Sequence, residues 1–244
     1  MLGKLKLKYI QSLGQKKLRD EEGVFVAEGP KLVAELILSG KMVIKQLFAL
    51  PGWIDENATM TGNIETIAIT EDELKRISQL STPNKVVAIV KKTTPPTEIK
   101  TKGTITMALD TIQDPGNLGT IIRIADWFGI KQVVCSNDSA DIYNPKVVQS
   151  TMGSIARVNV MYIDLASWLS NQEDVSIYAA SLAGQDITTM KQLNEGIIVI
   201  GNESKGISEE IMNLAHVKIT IPKKGNAESL NAAVAAGIIL SHLT

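Results

Sequence analysis

Leu109-Asp-Thr-Ile-Gln-Asp-Pro-Gly-Asn-Leu-Gly-Thr-Ile-Ile-Arg-Ile-Ala-Asp-Trp-Phe-Gly129 is the stretch whose reading decides the fold class. A strand ends at Leu109, Asp114-Pro-Gly-Asn117 makes a turn and supplies an N-cap, and a helix follows. On a helical projection Leu118, Ile121, Ile122, Ala125 and Phe128 form one apolar stripe, while Gly119, Arg123 and Asp126 fall on the other side. Arg123 therefore points away from the core face. Two uses stand open for it: an i,i+3 pair with Asp126, stabilising by about a few tenths of a kcal/mol, or a phosphate or ribose contact beside a glycine that lets a ligand approach the backbone.

Outward from this junction, apolar runs of strand length recur at Ile105–Leu109, Gln132–Cys135, Ile177–Ala180, Ile197–Ile200 and Val217–Ile221, with helical signals between most of them. Continuous hydrophobicity marks strands covered on both faces, so the expected class is α/β with a parallel sheet. Such a sheet invites a nucleotide, yet neither G-x-G-x-x-G after a strand nor G-x-x-x-x-G-K-[ST] occurs, which excludes an ordinary dinucleotide or phosphate-loop site.

Two further strand-to-loop junctions stand out. In Ile197-Ile-Val-Ile-Gly-Asn-Glu-Ser-Lys-Gly-Ile-Ser208 an apolar strand runs into Gly201 and Gly206 with Asn202 and Glu203 between them. This is where open α/β sheets place ligands, and it also reads as a plain glycine turn. In the segment from Val217 to Leu240, a strand meets Pro222, Lys223 and Lys224 follow, and a helix is expected to begin near Ser229. Its N-terminus, carrying Ser229 and Asn231, would offer donors and a positive dipole end to a ligand, or would simply be a well-capped core helix.

Before these junctions, Lys92-Thr-Thr-Pro-Pro-Thr-Glu-Ile-Lys-Thr-Lys-Gly103 reads as a linker, because its prolines remove donors and its small polar residues bury nothing. The preceding part is expected to be a small α/β module: a basic helix at about 4–19, an apolar helix around Gly29–Leu38, a strand near Ile44–Ala49, a helix opened by Thr70 with Glu73 in a capping box, and a strand at Val86–Val90. Residues 1–100 hold 15 Lys/Arg against 12 Asp/Glu and residues 101–244 hold 10 against 14. Lys4, Lys6, Lys8, Lys16, Lys17 and Arg19 precede the first acid, a polyanion-facing pattern that is also that of a solvated basic helix face.

Composition sets the remaining bounds. With 44% hydrophobic and 21% charged residues and a mean hydropathy of +0.09, the 244-residue chain is of globular type. No apolar run reaches the roughly 18 residues of a membrane span and no signal-peptide core opens the chain, so a cytoplasmic location without membrane contact is expected. The single cysteine, Cys135, reads as a buried thiol, and His216 and His242 join no cluster, so no metal is expected.

Taken together, in their order and spacing, the three junctions resemble the three motifs of the SpoU/TrmH family of RNA 2′-O-methyltransferases within the SPOUT class. Ile10-Gln-Ser-Leu, Lys17-Leu-Arg and Gly23-Val-Phe-Val-Ala-Glu-Gly29 look like the opening of the ribosomal-protein-like RNA-binding domain that many members carry. The resemblance implies a substrate-binding domain at 1–92, a linker at 93–103 and a methyltransferase domain at 104–244 with a deep trefoil knot, an exception to unknotted topology. It implies S-adenosylmethionine (SAM) as cofactor, a structured rRNA or tRNA as partner, and a homodimer. Carried over residue by residue, Ala180, Ser181, Leu182, Gly201, Asn202, Ile221 and Leu230 would hold the cofactor. Arg123 would sit at the ribose hydroxyl or its phosphate, with Asn117, Glu203, Ser229 and Asn231 organising the catalytic pocket. The segment Asn144-Pro-Lys to Gln149-Ser-Thr-Met-Gly153 matches the family with Thr151 where serine is common, which keeps the hydroxyl. Residues 41–66 carry no recognisable pattern, and the negative charge of the second part would leave RNA grip to the N-terminal lysines, Lys223 and Lys224. An RNA-binding or assembly protein without turnover, and an atypical nucleotide-dependent oxidoreductase, are the competing readings.

Overall fold

A computed structural model describes residues 2–94 and 96–244; Pro95, within the expected linker, lies outside the described residues. The chain forms two compact units, one of residues 1–94 with 141–157 and one of 95–140 with 158–244.

The first unit contains helices α1 (Lys4–Ser12) and α2 (Lys16–Glu22), strand β1 (Val24–Glu28), α3 (Pro30–Ser39), β2 (Ile44–Ala49), the short helices α4 (Pro51–Glu56) and α5 (Ala58–Thr61), β3 (Thr66–Ala68), α6 (Glu71–Ile77) and β4 (Val86–Lys91). The strands form one mixed sheet in the order β1-β4-β2-β3, with β4 antiparallel to both neighbours and β2 parallel to β3. α6 begins as the sequence predicts: Thr70 accepts from the Glu73 backbone N–H while the Glu73 carboxylate accepts from the Thr70 N–H at 3.0 Å. The single basic helix expected at 4–19 is two helices instead. The chain turns at Leu13–Gln15, and the carbonyls freed there accept from Nη1 of Arg19, Leu13 at 3.0 Å and Gly14 at 2.8 Å. Arg19 is 2% exposed and its Nη2 meets the Asp141 carboxylate at 2.6 Å. It is therefore a buried structural cation, and the expectation that it belongs to a polyanion-facing surface is corrected. Residues 141–157 complete this unit with α8 (Pro145–Thr151) and a short 3-10 turn at Ser154–Ala156; Thr151 is buried and its hydroxyl donates to the Val148 carbonyl at 2.7 Å.

The second unit is an α/β sandwich around a six-stranded sheet. Its elements are β5 (Ile105–Leu109), α7 (Pro115–Trp127), β6 (Gln132–Ser136), β7 (Asn159–Ile163), α9 (Leu165–Ser170), β8 (Ile177–Asp186), β9 (Gly196–Ile200), α10 (Glu209–Leu214), β10 (Val217–Thr220) and α11 (Ala232–Leu243). All paired strands are parallel, in the order β10-β8-β9-β5-β6-β7. The uninterrupted apolar runs account for this. Met107, Ala108, Leu109 and Ile197 through Ile200 lie in the middle of the sheet and are buried, as strands covered on both faces must be. The sequence reading omitted β7, a strand at the end of the sheet that pairs only with β6. Cys135 is fully buried on β6, and burial pushes its thiol pKa up, so the thiolate does not form near neutral pH.

Candidate active site

Parallel strands end on one edge of a sheet, so the segments that follow β10, β8, β9 and β5, which are neighbours in that order, all emerge together. After β5 the chain passes Asp110 and Thr111. Asp110 is 4% exposed; its carboxylate accepts from the Ser208 N–H at 2.7 Å and the Thr111 hydroxyl at 3.0 Å, tying the β5 exit to the segment after β9. Thr111 has a φ of +57°, unusual for a side-chain-bearing residue, and its carbonyl accepts from the Asn202 side-chain amide at 2.8 Å. Asp114 then caps α7 by accepting from the Asn117 N–H at 2.8 Å, as expected.

The segment after β9 is a tight ring. Asn202 exchanges both backbone hydrogen bonds with Gly206 at 2.9 Å, and its side-chain oxygen accepts from the N–H groups of Ser204 and Lys205. Gly201 is required here: a Cβ would stand 2.3 Å from the Gly206 carbonyl carbon and the Ile207 nitrogen. Glu203 projects from the ring. The Asn117 amide donates to its carboxylate at 2.6 Å, and the Asn117 carbonyl oxygen accepts from the Asn231 amide at 2.8 Å. Three residues predicted from three separate motifs thus form one hydrogen-bonded row, Asn231 to Asn117 to Glu203.

The β8–β10 ladder is interrupted. Val217 and Lys218 pair with Tyr178 and Ala179, but Ile219 and Thr220 pair with Gln185 and Asp186, so residues 180–184 leave the ladder. Ala180, Ser181 and Leu182 lie in this excursion, and the register of Ala179 with Val199 brings it alongside the Gly201 end of β9. The excursion returns at Gly184, where a Cβ would stand 2.5 Å from the Lys218 carbonyl oxygen. The Leu182 carbonyl accepts from the Thr220 hydroxyl at 3.3 Å, next to Ile221. Leu182 is 77% exposed and Leu230 47% exposed, apolar surface without cover.

Two expectations change. The last helix starts at Ala232 rather than near Ser229, because Asn231 is its N-cap and spends its side-chain oxygen on the N–H groups of Ala233 and Val234. Those donors are not free for a ligand; Ser229 sits in the preceding loop, exposed. Gly119, placed on the open side of α7, is buried like the apolar stripe. Arg123 is exposed, and among the described residues nothing accepts from its guanidinium, so the i,i+3 pair with Asp126 is not formed. Six residues separate it from Asn117, about 9 Å along the helix axis, and it is not part of the hydrogen-bonded row. Asp110, Thr111 and Gly184 were missed as site residues. Only an aspartate directly after a buried strand hinted at the first.

The chain matches the SpoU rRNA Methylase family over residues 104–241 and the MRM3-like substrate binding domain over 4–88. It is 31% identical over 98% of its length to the 23S rRNA (guanosine(2553)-2'-O)-methyltransferase RlmP of Bacillus subtilis, 95% of which is covered. An AdoMet-bound rRNA methyltransferase from Sinorhizobium meliloti has 32% identity and a TM-score of 0.86, covering 99% of this chain and 95% of that one. The AdoMet complex of the SpoU methyltransferase AviRb from Streptomyces viridochromogenes has 25% identity and a TM-score of 0.84, covering 98% and 97%.

Proposed function

The chain belongs to the SpoU rRNA methylase family, and from that premise we propose that it transfers a methyl group from SAM to a ribose 2′-hydroxyl of rRNA or tRNA. The observation that carries the reading is the row Asn231–Asn117–Glu203, which joins the three motif segments at the carboxyl edge of the sheet.

The residues present fit an adenosyl cofactor. The excursion of residues 180–184 exposes backbone groups and the uncovered Leu182, beside the glycine-bound ring at Gly201 and Asn202 and the end of β10 at Ile221. In this reading Ala180, Ser181, Leu182, Gly201, Asn202, Ile221 and Leu230 hold the adenosine side, apolar side chains on the base and backbone groups on its polar edges. SAM supplies an electrophilic methyl on a sulfonium, so the protein's tasks are alignment and handling of one proton. Arg123 is exposed and, among the described residues, its guanidinium has no acceptor; we assign it to the RNA phosphate next to the reacting ribose. A guanidinium is a poor base, its pKa being above about 12; it orients the hydroxyl electrostatically, and the proton leaves to water or a phosphate oxygen. Asn117 is held from both sides by Glu203 and Asn231, which fixes which way its amide faces, and Ser229 completes the rim.

The rest of the proposal is architectural. Residues 1–92 bind substrate, 93–103 link and 104–244 carry the chemistry, with the C-terminal stretch threaded as a trefoil knot; the Leu193 N–H to Leu243 carbonyl bond at 2.7 Å ties the end of α11 to the segment before β9. The chain acts in the cytoplasm as a homodimer, a reading supported by Trp127 and Val234, 84% and 51% exposed, on the packed pair α7 and α11. Comparing 2′-O-methyl marks on rRNA and tRNA from cells with and without the protein tests the activity. Loss of one mark, restored by the wild-type chain and not by Arg123→Ala, is the expected result. Unchanged marks leave the silent RNA-binding protein as the surviving reading.

A further inference from the structure

The first unit carries a cavity that the proposed reaction does not use. Its volume is about 300 Å³ and it is lined by Lys6, Tyr9, Lys45, Gln46, Glu65 and Ile89, at the small end of the range for small-ligand sites, about 300–1,000 Å³. Three of the six come from 41–66, the stretch without a recognisable pattern.

Each polar group there is placed by a specific local feature. In the β2–β4 ladder Ile44 pairs with Val90 and Gln46 with Ile89, so Lys45 is an extra residue in a bulge, a device that re-aims a side chain. Lys45 is exposed. The Lys6 ammonium stands 5.6 Å from the centre of the Tyr9 ring and 5.7 Å from that of Phe48, a cation held over aromatic faces. Tyr9 is half-buried and its hydroxyl donates to the Glu22 carboxylate at 3.4 Å. Gln46 is 7% exposed and its amide nitrogen donates to Oε1 of Glu65. Among the described residues nothing donates to the Gln46 side-chain oxygen or to Oε2 of Glu65, which leaves two acceptors from a joined pair.

Two cations, one aromatic ring and a pair of acceptors make the complement of a nucleotide. We propose that this cavity binds a single unpaired guanosine of the RNA, and so selects substrate away from the methyl-transfer site. Its phosphate lies against Lys6 and Lys45 and its base on Tyr9, as single-stranded bases stack on aromatic side chains. The Gln46 and Glu65 oxygens accept from the adjacent N1–H and N2–H₂ donors. Guanine alone among the four bases has two neighbouring donors on its Watson–Crick edge; adenine and uracil alternate donor with acceptor, and cytosine presents one donor beside two acceptors. The proposal rests on the RNA-substrate reading above.

The test is fluorescence anisotropy with the full chain, comparing a labelled uridine hexamer with the same hexamer carrying one internal guanosine. The guanosine hexamer should bind about tenfold more tightly, an effect of about 1.4 kcal/mol. Tyr9→Ala and Glu65→Ala should bring the ratio to near one, and Tyr9→Phe should keep it. Lys6→Gln and Lys45→Gln should weaken both hexamers alike and each flatten the salt dependence by about one in log–log slope. Equal wild-type affinity for the two hexamers, a preference that survives both alanine variants, an adenosine hexamer preferred to the guanosine one, or an unchanged salt slope in the lysine variants would each overturn the assignment. Thermal unfolding of every variant identifies any that fail to fold, and Tyr9→Phe and the lysine variants then still decide the matter. Methyl transfer measured on the same preparations separates the two claims: a guanosine preference without transfer sinks the enzyme reading alone, and transfer without preference sinks this one alone.

Discussion

Arg19 in the four-stranded unit and Arg123 in the six-stranded unit look alike in the sequence, each a basic residue on an amphipathic helix, and the structure treats them oppositely. Arg19 is 2% exposed and bonded to two backbone carbonyls and to Asp141. Arg123 is exposed and, among the described residues, donates to nothing. A cation whose hydrogen bonds are supplied by its own fold works for stability. A cation left exposed and without an acceptor among the described residues, on the helix that opens from the β5 exit, is available to a ligand.

The contrast predicts opposite mutational signatures. Arg19→Ala leaves the Asp141 carboxylate and two turn carbonyls without their donor, so stability should fall by about 3–5 kcal/mol, lowering the melting temperature of the first unit by roughly 12–20 °C. Calorimetry checks this, and a change within about 1 °C would show the ion pair to be dispensable. Arg123→Ala should leave the melting temperature within about 1 °C, since exposed substitutions alter stability by about 0.5 kcal/mol or less. Steady-state transfer assays should instead show turnover reduced by about 10²–10³-fold, the scale of removing one preorganised electrostatic contact, with SAM affinity unchanged within about twofold. Loss of SAM binding would place Arg123 on the cofactor.

Gly201→Ala sharpens the comparison from the backbone side. The added Cβ meets Gly206 at 2.3 Å, so the ring around Asn202 must open. SAM affinity should drop by about tenfold or more, about 1.4 kcal/mol, and titration calorimetry would show it; wild-type affinity would mean that the ring does not hold the cofactor. The smallest effect belongs to Asp20. Hydrogen bonds from Lys16 and then Lys92 hold its carboxyl at about 2, below its ordinary value of 3.8. A carboxylate depressed in the folded state stabilises above its unfolded pKa, and the contribution is lost as the pH falls through about 4 to 2. Because Asp20 is largely solvated, the effect is at most about 0.5 kcal/mol after screening. Asp20→Asn should therefore unfold slightly below wild type at pH 7 and together with it at pH 2.

The sheet of the second unit was legible because its strands are continuous apolar runs, whereas the roles of Asn117, Glu203 and Asn231 came from the resemblance of the three junctions to the SpoU/TrmH motifs. Part of what escaped depends on contacts distant in sequence. The burial of Arg19 is fixed by Asp141, 122 residues away, which periodicity cannot see. The break at Leu13–Gln15 has a local counterpart, since the carbonyls it frees are taken up by the Arg19 guanidinium. Helix α11 begins at Ala232 because Asn231, and not Ser229, supplies its N-cap. The excursion at 180–184 looked like the end of a strand, and only the resumed pairing of Gln185 and Asp186 with β10 reveals it as a loop within one.

The most direct test is transfer of tritium from methyl-labelled SAM to rRNA and tRNA, followed by digestion to nucleosides. The account predicts label in 2′-O-methylated nucleosides with the wild-type chain and near-background label with Arg123→Ala. Label in base-methylated nucleosides, or none with the wild-type chain on any RNA, would contradict it.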